Sequence, residues 1–192
     1  ALAMVWDYAE VNPFSNDTGS FSGAIRWICL VLSRECISQN SLGQAAQEDA
    51  TKHPLPDDSV QLLFTDPPYY DAIDYAVISD FYYTWLRRNI KQSHGVDLLA
   101  EKTPKDREIV VDSTTTLGRG SRDATFYQKL MAEALTHGRR YVTSDGIGTI
   151  VFAHKSTSGW ETQIESLISA NWTVSASWPI DTERPGRMRA ID

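Results

Sequence analysis

Two adjacent prolines, Pro67 and Pro68, stand directly behind the apolar run Val60-Gln-Leu-Leu-Phe-Thr65, and this junction limits the fold more than any other feature of the chain. Neither proline can donate to a sheet ladder or continue a helix, and the residue before each is pushed toward extended backbone. The run opens after Pro56-Asp57-Asp58 and is apolar at most of its positions. That is the pattern of a buried strand bounded by turn residues. The spacing therefore predicts a strand over 60–65 that ends in one rigid turn, Asp66-Pro67-Pro68-Tyr69.

Around this strand the hydrophobic periods alternate. Ile25, Ile28, Leu32 and Cys36 recur at three- and four-residue intervals and predict a helix from about Ser22 to Ile37. Ile78, Phe81, Tyr82, Trp85 and Leu86 give a second helix, about Tyr75 to Asn89. Phe126, Leu130, Ala134 and Gly138, with Tyr127, Met131 and Leu135 beside them, form a third stripe. Gly146 and Gly148 introduce a second buried strand, Thr149-Ile-Val-Phe-Ala153, and a helix follows with Trp160, Ile164, Leu167 and Ile168 on one face and Ser158 as N-cap. Trp172, Val174, Ala176, Trp178 and Ile180 then alternate as in a strand with one covered face. Alternating strands and helices argue for an α/β sandwich with a mainly parallel sheet, in which ligands bind beyond the carboxyl ends of the strands. The 192 residues suit one domain, with the aperiodic segment 92–122 as an insertion.

The charge balance of 18 Lys+Arg against 25 Asp+Glu, a net −7, disfavours nucleic-acid binding by overall charge and leaves room only for local basic patches. Arg119 and Arg122, in Gly118-Arg-Gly-Ser-Arg122, and Arg187, in Arg184-Pro-Gly-Arg-Met-Arg189, are the candidates for DNA-backbone contacts. The apolar stretches Trp27 to Leu32 and Thr149 to Ala153 fall far short of the roughly 18 residues of a membrane span. Cys29 and Cys36 lie about two helical turns, roughly 10 Å, apart and cannot be bridged. With no zinc-like cysteine spacing and no charged, then apolar leader, the reducing cytoplasm is the expected location. His53, His94, His137 and His154 are too scattered for a metal site, so no metal is expected.

The chemistry concentrates at Asp66 to Tyr69. A carboxylate, an adjacent carbonyl on an immobile proline and an aromatic ring can hold a planar amine: two acceptors serve its two hydrogens and the ring stacks. This is the geometry needed to methylate an exocyclic NH2. The plainer reading is a strand terminator with a packed tyrosine. His154-Lys155 close the second strand at the same edge of the sheet and read as a structural or solvent-facing pair.

Asp66-Pro67-Pro68-Tyr69 resembles the catalytic motif of the amino-methyltransferases, which methylate adenine N6 or cytosine N4 with S-adenosyl-L-methionine. The longer string from Leu55 to Asp71, continuing over Ile78-Ser-Asp-Phe-Tyr-Tyr-Thr-Trp-Leu86, is similar to adenine-specific DNA methylases of the DUF1156 type. Three further blocks extend the likeness: Trp6 to Phe14, Thr149 to Lys155 with Trp160, and Trp178 to Glu183. The resemblance implies a class I, Rossmann-like methyltransferase fold, incomplete at one or both ends, acting on DNA. Asp66 and the Pro67 carbonyl accept from the target amine, Pro68 stiffens the turn, and Tyr69 stacks on an extruded base. The family's Gly-x-Gly cofactor turn is not found: Gly19 to Gly23 follows no buried strand, Gly118-Arg-Gly120 is out of order, and Gly146-Ile-Gly148 leads into a strand. Gln44 is the carried-over contact to the cofactor adenine. The chain then reads as a catalytic portion that needs an upstream part of the same protein, with 92–122 as a mobile, target-facing excursion. The alternatives are a cytosine-N4 enzyme and a non-catalytic DNA-binding or assembly fragment of the same fold.

Overall fold

A computed structural model describes residues 12–36, 43–89, 100–112 and 122–180. The chain divides into two units, Ala1–Ala46 and Gln47–Asp192. In the first, helix α1 spans Phe21–Glu35. It starts where Ser20, itself buried, accepts the Gly23 amide at 3.2 Å through its hydroxyl, and this satisfies one of the unpaired first-turn donors. None of its residues is buried. Cys29 and Cys36 are free thiols, as their spacing requires.

The second unit holds the elements around the proline turn. Strand β1 is Val60–Thr65, followed by α2 (Tyr75–Asn89), α3 (Ala124–Tyr141), β2 (Val142–Ile150) and α4 (Thr157–Ser169). β1 and β2 run parallel, with Leu62 opposite Ile147, Phe64 opposite Thr149 and Thr65 opposite Ile150. A parallel pair needs a crossover, which the chain makes through α2 and α3. The result is a mixed α/β unit with a two-stranded sheet among the described residues. The second strand begins earlier than its apolar content suggests, at Val142, and α4 is capped by Ser156 rather than Ser158. The alternating 172–180 segment joins no sheet among the described residues.

α3 makes the core. Tyr127, Met131 and Leu135 are buried on its sequence-predicted stripe, closed by Ala170 and flanked by Tyr70, Ile109, Val111, Ile150, Leu167 and Trp172. Helix and sheet approach closely at Gly138, where an added Cβ would lie 2.9 Å from the Leu63 methyl Cδ2. The other face of β1 behaves differently from the expected strand buried on both faces. Leu62 and Phe64 are exposed, as is Ile147 opposite Leu62, because side chains alternate across a strand and α3 covers only one side.

The segment expected as a mobile excursion, 92–122, is described over 100–112 and at Arg122, and there it is tied down. Glu108 accepts the Ala76 amide at the start of α2 (2.8 Å), Asp80 accepts from the Thr103 amide (2.8 Å) and pairs with Lys105 (2.7 Å), and Arg107 pairs with Asp49 (3.0 Å). No helix among the described residues is long and apolar enough to cross a membrane.

Candidate functional site

The two parallel strands end at one edge, and their ladder runs one step further, from the Val151 amide to the Thr65 carbonyl (2.9 Å). This brings Asp66 to Asp71, leaving β1, beside Phe152 to Ser156, leaving β2. Asp66 is exposed, and Pro67, Pro68 and Tyr69 are half-buried. The Tyr69 ring meets Phe152 edge to face (centroids 5.5 Å apart), and Phe152 in turn meets Trp160 at 5.1 Å. Burial pushes the Tyr69 phenol up to about 12, and the neighbouring Asp66 carboxylate acts in the same direction. At neutral pH the phenol therefore keeps its proton.

The two proline carbonyls differ. That of Pro68 accepts the Tyr127 hydroxyl (2.9 Å) and the Tyr70 amide (3.1 Å). That of Pro67 accepts no hydrogen bond among the described residues. Tyr70 closes the turn with φ of 53°, a left-handed conformation that costs energy for a side chain of this size. Its ring lies edge-on between Tyr127 (5.2 Å) and His154 (5.3 Å), and its carbonyl accepts the Val111 amide (2.9 Å). Next along the chain, Asp71 pairs with His154 Nε2 at 2.7 Å. The other ring nitrogen, Nδ1, accepts the Ser156 amide (3.1 Å), so Nε2 is the nitrogen that carries the proton given to Asp71. Gly159 lets α4 start this close to the imidazole; an added Cβ would come within 2.3 Å of Nδ1. His154 thus ties the end of the proline turn to the cap of α4, in keeping with a structural reading of that residue.

Arg122 stands elsewhere. Its side chain is 9% exposed and donates to Glu108 (2.9 Å), Asp112 (3.1 Å) and the Lys105 carbonyl (3.0 Å). Burial opposes its charge, and the two carboxylates more than offset this, holding the guanidinium protonated. Expected at a phosphate, it is held by carboxylates and clamps 105–112 to the start of α3. Arg119 and Arg187 lie outside the described residues.

Gln44 is exposed and belongs to the first unit. Gly146 and Gly148 lie inside β2, where added Cβ atoms would meet Val142 (2.5 Å) and the Trp172 ring (2.6 Å). Both serve packing. The described residues therefore do not form the strand, glycine turn and helix that would fit S-adenosyl-L-methionine.

The sequence missed Tyr127 and Gln163 as parts of this site. Tyr127 reads as one more residue of an apolar stripe, and nothing in the sequence signals where its hydroxyl points. No family model, no curated protein and no solved structure matches the chain in comparison with known proteins.

Proposed function

We propose that this chain supplies the amine-holding half of a DNA adenine-N6 methyltransferase. One observation carries the reading: at the carboxyl end of β1 an exposed carboxylate, Asp66, is followed by a proline carbonyl, Pro67, that has no hydrogen-bond partner among the described residues, and by the half-buried ring of Tyr69. Two acceptors beside an aromatic surface suit a flat base whose NH2 group has two hydrogens to give. Asp66 accepts one, the Pro67 carbonyl accepts the other, and the ring of Tyr69 lies against the base. Both hydrogens are then held away from the nitrogen lone pair, which is left facing a methyl donor. Positioning supplies the acceleration and no covalent intermediate on the protein is needed; transfer would form the N–C bond as the S–C bond of the donor breaks, and the nitrogen would then release one of its hydrogens as a proton. The donor is S-adenosyl-L-methionine when bound, and its cradle is not among the residues described above.

The test is single-turnover methyl transfer to DNA by the full-length protein. Asp66→Ala is expected to slow transfer by about 10²-fold or more while DNA affinity stays within a few-fold, because one of two orienting acceptors is gone. Transfer at the wild-type rate by Asp66→Ala defeats the reading.

A further inference from the structure

The turn that holds the amine is itself held from behind. Tyr127 is fully buried in α3, and its hydroxyl donates to the Pro68 carbonyl at 2.9 Å. Behind it, Oε1 of the Gln163 side chain in α4, also buried, lies 3.1 Å from the same phenol oxygen, placed to accept from it. A phenol has a single proton, and the shorter contact takes it. The Gln163 NH2 group has no hydrogen-bond partner among the described residues. With the amide turned end for end, which exchanges Oε1 and Nε2 without moving the side chain, the NH2 group would donate to the phenol oxygen and the three groups would form one directed chain from α4 through α3 to the turn.

The direction matters because of the prolines. The peptide bond between them is planar and the Pro68 ring locks its φ, so only ψ of Pro68 sets how the two carbonyls stand to each other. Fixing the Pro68 carbonyl against α3 therefore fixes the Pro67 carbonyl as well. The same bond holds Tyr70, whose amide shares the Pro68 carbonyl and whose left-handed backbone would otherwise relax.

We infer that Tyr127, backed by Gln163, is a positioning residue that orients the Asp66–Tyr69 turn for amine recognition through its hydroxyl bond to the Pro68 carbonyl. The inference rests on the methyltransferase reading and adds to it residues that never touch the base. Tyr127→Phe keeps the ring against Tyr70 and removes the bond. In the full-length protein, amide exchange at Tyr70 and Ala72 is expected to rise at least tenfold, while amides in the middle of α3 stay within twofold. Single-turnover methyl transfer is expected to fall about tenfold with DNA affinity unchanged. Unchanged exchange at Tyr70 and Ala72, or a rise spread evenly over the chain, overturns the inference, and so does wild-type transfer by Tyr127→Phe. A wild-type protein that transfers no methyl group overturns the underlying reading instead. If Tyr127→Phe does not fold, Gln163→Leu takes its place: it leaves the phenol but removes the donor behind it, and a threefold or greater rise at Tyr70 is required for the inference to stand.

Discussion

Helices α3 and α4 lie against each other and make their interiors in opposite ways. α3 buries the apolar stripe that its periodicity announces, Tyr127, Met131 and Leu135. α4 buries Gly159, Thr162, Gln163 and Ser166; of the face its period suggests, Leu167 is half-buried against the core while Trp160, Ile164 and Ile168 are exposed. The apolar interior is held by area and tolerates exchange. The polar one is held by specific bonds: Ser166 to the Thr162 carbonyl (2.8 Å), Gln163 with Tyr127, and, beyond α4, Arg122 with its carboxylates. The difference teaches that a stripe identifies a face, while the neighbours decide whether that face turns inward.

The largest effect is expected where the polar interior carries full charges. Arg122→Ala removes the guanidinium that meets Glu108 and Asp112, and losing one partner of a buried pair costs about 3–5 kcal/mol. Denaturant unfolding measures this, and a loss under about 1 kcal/mol would mean that water reaches the cluster and the contrast with α3 is false.

The next effect separates the two helices directly. Leu135→Ala on α3 should cost about 2–5 kcal/mol by opening a cavity, whereas Ile164→Ala on α4, at 44% exposure, should cost about 0.5–1 kcal/mol. Equal losses in a chemical melt would show that the outer face of α4 is covered in solution.

The smallest effects are pH-dependent and of opposite sign. Hydrogen bonding by Lys105, with Thr103 adding to it, holds Asp80 down at about 2 against an ordinary 3.8. Its contribution is therefore complete above about pH 3.8 and is lost as pH falls toward 2. Asp74 is shifted the other way, first by burial and then by the Asp112 and Glu108 carboxylates. It favours the fold only while protonated, and its contribution disappears as pH rises through its raised value. Melting curves from pH 7 to 2 should show Asp80→Asn lowering Tm at neutral pH and flattening the acid decline, and Asp74→Asn raising Tm at neutral pH. The same sign for both would mean that the 100–112 segment does not pack against α2 as described.

By itself the sequence determined the local elements. Periodicity placed α2 at Tyr75–Asn89 and gave the α3 stripe, and the turn residues on either side of 60–65 bounded β1, because these features depend on near neighbours along the chain. It also put Asp66 and His154 at one sheet edge, since two parallel strands must end on the same side. Only the tertiary structure decided which carbonyl of the proline pair is engaged, that Tyr127 engages it, that Arg122 faces carboxylates, and which side of α4 is buried. Those outcomes depend on partners 10 to 59 residues away, and a hydroxyl or guanidinium carries no mark in the sequence of the acceptor that the fold will bring to it.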